Sequence, residues 1–128
     1  MRAYLPISHK DLEAFVLTKN IDVDEVFAPT PAFVADNLDC DEEELEYLLS
    51  VAAGEEALEL RLSEKGPGIV LAFEVTYEQI AESYEDSITL KTALPWNQLQ
   101  CALLALQGDD ELVWFATQEI EIHLAEWK

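Results

Sequence analysis

The run Ile69-Val70-Leu71-Ala72-Phe73-Glu74-Val75 does most to limit what this chain can become, because it is apolar at nearly every position. A strand with one wet face alternates, whereas a run of this kind belongs to a central strand covered on both faces. Immediately ahead of it stands Gly66-Pro67-Gly68, the strongest punctuation in the sequence. Glycine and proline together set a turn, and this one divides a helical first half from a second half richer in strands.

In the first half, Arg2 to Ile7 reads as a short strand with Ala3, Leu5 and Ile7 on one face, and Pro6 marks an edge or the strand's end. Ser8, with Asp11 three residues on, caps a helix whose Leu12, Phe15 and Val16 fall at helical spacing and which stops near Asn20. Val26-Phe27-Ala28 is a second strand. Thr30-Pro31 then starts a brief helix to about Leu38, threonine as cap and proline where its missing N–H costs nothing. Leu45, Leu48, Leu49, Ala52, Ala53, Ala57 and Leu60 recur every three or four residues and describe one long helix from about Asp41 to Leu62. Gly54 weakens that helix by roughly 1 kcal/mol relative to alanine without ending it.

In the second half, Thr76 and Gln79 form a capping box for a short helix to Ser83, and Ser87 to Thr92 alternates as a strand with Thr89 and Lys91 on a wet face. Cys101 to Leu106 is either a buried strand or the end of a helix beginning at Trp96. The strand is favoured, because Gln107-Gly108-Asp109-Asp110 is turn chemistry and Leu112 to Thr117 has strong β-propensity, so the two make a hairpin. From Gln118 to Lys128 the alternation of Ile120, Ile122 and Leu124 suits a strand or a helix equally.

Composition enters through charge. Twenty-seven acidic residues against seven basic ones give a formal charge of -20 on 128 residues, a surface that repels nucleic acid phosphates and the anionic face of a membrane. What remains is a cation, a basic partner or neither. Acid is spread through both halves, so it is no detachable tail. Half of the residues are hydrophobic, too many for the class that stays disordered. At this length a single domain over residues 1–128 is expected. Cys40 and Cys101 make no disulfide framework, Met1 to Ile7 lacks the apolar centre of a signal peptide, and no stretch approaches the roughly 20 apolar residues of a membrane span. A cytoplasmic protein with reduced thiols follows.

The carboxylates from Asp36 to Glu46 are the obvious candidate for a calcium or magnesium site, but the glycine and alternate-position ligands of a calcium loop are missing. Acids there fit better as helix caps, Asp39 or Asp41 at the cap and Glu42 or Glu44 at the third position. His9, His123, Cys40 and Cys101 are the soft ligands, none at zinc spacing, and His9 reads as a surface residue in a first helical turn. Cys40 sits among acids, which disfavours a thiolate nucleophile. Ser8, Ser50, Ser63, Ser83 and Ser87 lack nucleophile-elbow glycines, and Gly54, Gly66, Gly68 and Gly108 make no phosphate-cradling loop. No catalytic residue, metal ligand or cofactor is assigned. Trp96, Trp114 and Trp127 are core residues or interface anchors, with Trp127 the one expected to need a partner surface, a second copy or another protein.

Tyr4-Leu5-Pro6, Phe27-Ala28-Pro29-Thr30-Pro31, Asp41-Glu42-Glu43-Glu44-Leu45-Glu46-Tyr47 and Leu112-Val113-Trp114-Phe115-Ala116-Thr117-Gln118-Glu119-Ile120 together resemble a family of short acidic actinobacterial proteins of unknown function. The resemblance covers most of the chain, more loosely from Ser63 to Asp110. It departs from the family's pattern at Phe115, where tyrosine is expected, and at Glu121-Ile122-His123, where a proline-containing end is expected. It implies no activity, cofactor or catalytic residue.

These readings converge on an α+β fold, a mixed or mainly antiparallel sheet of about five strands covered by helices, with a ferredoxin-like arrangement as the nearest named topology. The function they favour is a small non-enzymatic protein-interaction or regulatory module for a partner with a basic surface, possible as a homodimer, binding neither nucleic acid nor membrane. The alternative is a small enzyme or ligand-binding protein with a carboxylate-lined pocket that takes a divalent metal.

Overall fold

The computed structural model describes residues 1–61, 66–108 and 111–128. Strand β1 (Arg2–Ile7) leads through Ser8, whose hydroxyl accepts from Asp11 N, into helix α1 (His9–Thr18). The helix ends on Lys19, a left-handed cap at φ 61°, one residue before the expected stop. Two-residue β2 (Asn20–Ile21) and β3 (Glu25–Phe27) follow, then α2 (Pro31–Asp36), capped by Thr30 as read from the sequence. Helix α3 (Glu42–Glu59) starts on the Asp41 cap, whose carboxylate accepts from Glu44 N at 2.8 Å. Its expected end at Leu62 lies outside the described residues.

Strand β4 (Gly68–Glu74) is the apolar run, and its Ile69 to Phe73 are fully buried. The capping box at Thr76 is present, Gln79 Oε1 accepting from Thr76 N at 3.0 Å, but it opens a single 3-10 turn over Tyr77–Gln79. In place of the expected helix to Ser83 the chain forms β5 (Ile80–Ser83), because β6 (Ser87–Leu90) offers a backbone ladder beside it. Then come β7 (Leu94–Pro95), β8 (Leu99–Ala105), β9 (Leu112–Ala116) and α4 (Ile120–His123), the last flanked by 3-10 turns over Thr117–Glu119 and Leu124–Trp127. Residues 101–105 are strand, and the tail is helical. Of the hairpin turn, Gly108 takes φ 79° and Asp109–Asp110 lie outside the described residues.

The main sheet has seven strands in the order β5-β6-β3-β1-β4-β8-β9, and β2 with β7 makes a separate ribbon. That is more than the roughly five expected; β5 is too polar to announce itself as a strand, and β2 and β7, two residues each and equally unannounced, lie outside this sheet. In a ferredoxin-like sheet, strands joined by a helix are separated by a third. Here β1 and β3, joined through α1, are antiparallel neighbours, so the order differs.

Burial on both faces of β4 is met by two separate cores. Ile69, Leu71, Phe73 and Val75 pack with Ala3, Leu5, Ile7, Leu12, Phe15, Leu94, Ile120 and Trp127, beneath α1 and the C-terminal helices. Val70 and Ala72 pack on the opposite face with Tyr4, Leu49, Ala53, Ala57 and Cys101, beneath α3. Leu48 and Leu60, counted in the α3 stripe, are instead exposed, and the buried side is the narrower set Leu45, Leu49, Ser50, Ala53, Gly54 and Ala57.

Pro6 explains where the sheet opens. Met1 N donates to Val75 O at 2.9 Å and Val75 N to Met1 O at 2.8 Å. Alternation along an antiparallel ladder then turns the backbone groups of Ala3, Leu5 and Ile7 toward β4, and those of Arg2, Tyr4 and Pro6 toward β3. Pairing of β1 with β3 is made at Tyr4–Phe27. Pro6 stands beyond it, in an interior strand but on its unpaired side, where the missing N–H costs no ladder bond.

Candidate functional site

That opening is the mouth of a cleft of about 470 Å³, lined by Leu5, Pro6, Val23, Val26 and Phe27 with Asp24, Glu25, Glu56, Asp86 and Ser87. Its floor is apolar and its rim acidic. The four carboxylates come from the β2–β3 loop, β3, the outer side of α3 and the turn before β6. Glu25 is held by the Ser87 hydroxyl, which donates to its carboxylate across the β3–β6 pair. None of the lining residues is basic. A second cleft of about 430 Å³ shares Leu5, Pro6 and Val23 and extends the acid to Asp11 and Asp22. Nothing in the sequence pattern marked this site, because its carboxylates are contributed by three segments, residues 24–25, 56 and 86, at unrelated spacings.

The acids that the sequence did single out serve the helix. Asp41 caps α3, and Glu42, Glu43 and Glu44 occupy its first turn, where negative charge complements the helix dipole. Among the described residues, no three His, Cys, Asp or Glu side chains are grouped so as to hold a metal ion. The four soft ligands do not converge either. His9 departs from the surface position expected of it: it is buried, its Nε2 bonded to Leu124 O at 2.7 Å and its Nδ1 paired with Glu13 at 2.9 Å. It ties α1 to the C-terminal turn.

Neither cysteine is activated. Burial pushes the Cys101 thiol up, outweighing Arg2 and a hydrogen bond from Trp114. Partial desolvation, then the carboxylates of Asp39, Glu44 and Asp41, raise that of Cys40. Both are free thiols. Burial, joined by the Glu46 carboxylate and opposed by Arg2, lifts the Tyr4 hydroxyl far above its ordinary range.

Groups whose pKa is raised on folding stabilise the protein fully below their unfolded values, and that contribution is lost as pH rises past them. Reference values of 9.0 for Cys101 and 10.0 for Tyr4 place the loss above about pH 9. The urea midpoint should fall steadily from there, and Tyr4→Phe should flatten the decline above about pH 10. An identical alkaline profile in wild type and Tyr4→Phe would contradict the assignment.

The tryptophans divide. Trp127 does not await a partner: it is 3 % exposed, edge-on to Phe115 at 5.0 Å between ring centres. Trp96 packs on Phe15 at 4.9 Å with Lys19 Nζ 4.1 Å from its centre, and Lys19 also pairs with Glu121 at 2.6 Å. Trp114 alone is mostly exposed, at 60 %.

Fold and cleft together define an α+β protein with a seven-stranded antiparallel sheet between helical layers, opened beside β1 into an acid-rimmed, apolar-floored groove. The chain belongs to a family of unknown function (DUF6912), whose profile matches residues 1–107. The matched residues contain every lining residue of both clefts and stop before β9 and the C-terminal helices. No curated protein and no solved structure matches the chain. Among the described residues, no helix is long and apolar enough to cross a membrane.

Proposed function

We propose that this chain is a single-domain, cytoplasmic, non-enzymatic interaction module that receives the basic side chains of a partner protein in the cleft beside β1. The observation that carries this reading is Asp24, Glu25, Glu56 and Asp86 around an apolar floor with no basic lining residue. A lysine or arginine offers that arrangement both a charged head and an apolar stem. The charge of -20 speeds the approach of such a partner and disfavours polyanions.

A ligand-binding or metal-dependent reading uses the same cleft, but a hard cation takes six or more oxygen ligands, and among the described residues no three His, Cys, Asp or Glu side chains, the cleft's carboxylates included, are grouped so as to hold one. Titration with an oligo-arginine peptide tests the module. Binding should weaken as salt rises, and Asp24→Asn with Asp86→Asn should weaken it about fivefold, each partly exposed charge contributing about 0.5 kcal/mol. Glu43→Gln with Glu78→Gln, outside the cleft, should change it little. Equal losses from both pairs would leave only diffuse attraction and remove the cleft from the argument. Magnesium heats that survive at millimolar metal and vanish in the Asp24/Asp86 variant would favour the metal reading instead.

A further inference from the structure

Pro6 affects the strand across from it as well as its own. β1 and β3 pair at Tyr4–Phe27, and counting two residues along each strand, in opposite directions, brings Glu25 opposite Pro6. The Glu25 carbonyl is directed to that side. Ala28 N donates to Asp86 O at 2.9 Å and Val26 stands opposite Ile88, so Ala28 and Val26 give their backbone groups to β6. Alternation along an antiparallel ladder then turns those of Phe27 and Glu25 toward β1. Proline has no N–H. The Glu25 carbonyl therefore meets no donor in β1 and faces the cleft.

The other polar groups that the cleft presents are acceptors too. Of its lining side chains, Ser87 alone carries a donor, and that hydroxyl is engaged with the Glu25 carboxylate. Asp24, Glu25, Glu56 and Asp86 set negative oxygens around the carbonyl, and Phe27 is the aromatic ring in the lining. Such a set matches a ligand with several N–H donors, a positive charge and a flat face. Lysine brings three donors on a compact, strongly hydrated point charge. Arginine brings five in a rigid planar fork that pairs with carboxylates and stacks on rings.

We propose that the cleft takes the side chain of an arginine held within a partner's polypeptide. Its guanidinium donates to the Glu25 carbonyl and to the carboxylates around it, its plane lies against Phe27, and its methylenes rest on the apolar floor. This inference rests on the basic-partner reading above and narrows it to one residue type. The free amino acid is not the occupant, because its own carboxylate would enter among the four already there. Pro6 is then a specificity residue that acts by withholding a donor.

Calorimetric titration with two amidated peptides of equal length and charge, one of arginines and one of lysines, tests it. Wild type should bind the arginine peptide about tenfold more tightly, the worth of one charge-assisted hydrogen bond. Pro6→Ala supplies the absent N–H, which takes up the Glu25 carbonyl. That variant should lose most of the preference while still binding the lysine peptide with the same salt dependence, and its new amide should exchange slowly with solvent. Phe27→Leu, which keeps the floor apolar, should also reduce the preference, and it carries the reading should Pro6→Ala misfold. Equal wild-type affinity for the two peptides, both still weakened by Asp24→Asn with Asp86→Asn, overturns the arginine assignment and leaves the basic-partner reading standing. Failure of both peptides to bind removes the two together. A preference unchanged in both variants, or tighter binding of free arginine than of acetyl-arginine amide, likewise overturns the assignment.

Discussion

Trp127→Ala should lower stability by about 3 to 5 kcal/mol, the cost of emptying a large aromatic site in a packed core. The indole is almost wholly buried, set against Phe115 and stacked over His123 at 6.4 Å, and the buried Arg61 guanidinium donates to the Trp127 carbonyl. Domains of ordinary size hold about 5 to 15 kcal/mol in total, so the loss is a large share. It should appear as a drop in urea midpoint and a melting temperature lower by more than about 10 °C. Oligomeric mass at concentrations where wild type is monomeric should not change, since the residue faces inward. A variant within about 1 kcal/mol of wild type would show that the C-terminal turns add little to the core.

Gly68→Ala should cost about 3 kcal/mol, at the upper end for one added methyl in a packed interior. A Cβ at Gly68 would stand 2.8 Å from Leu58 N and 2.9 Å from the Ala57 carbonyl carbon. Those are backbone atoms of α3, which cannot swing aside as a side chain would. To admit the methyl, the end of α3 must lift away from β4, loosening the contact of Ala57 with Val70 and Ala72. Gly54→Ala makes a useful comparison, because its Cβ would meet the Leu112 side chain at 3.1 Å, a group able to give way. Equal losses at the two positions, read by chemical denaturation, would argue against a backbone collision.

What could be read from the sequence was what local chemistry decides. Ser8 and Thr30 were legible as caps, and Asp41 as one of two candidates beside Asp39, because each bonds an amide three residues on, and β4 was legible because burial on both faces removes alternation. Residues 80–83 were not: with Glu82 and Ser83 they have little β-propensity, and they become a strand because β6 lies alongside. At the C-terminus the sequence leaves both forms open, since the alternation of Ile120, Ile122 and Leu124 suits a strand while Ile120, Leu124 and Trp127 fall on one helical face. Burial of Ile120 and Trp127 against an Ile122 that is 74 % exposed settles it. His9 was misplaced because helical spacing alone does not show that the C-terminal turn returns over α1. The cleft lay beyond sequence altogether, its walls drawn from segments some sixty residues apart that meet only when β3 leaves β1 at Tyr4.

After Leu45 and Leu49 the inner side of α3 is made only of serine, alanine and glycine, so this part of the helix lies almost backbone-to-strand on the sheet. Such a seat holds its height by contact between main chains and owes nothing to the glutamates pointing the other way. Electric charge and architecture are in that respect separate variables beyond the helix's first turn: Glu55 and Glu59, exposed on the outer side of α3, can be neutralised or inverted one by one, resetting the electrostatic character of the molecule while the scaffold beneath keeps its shape.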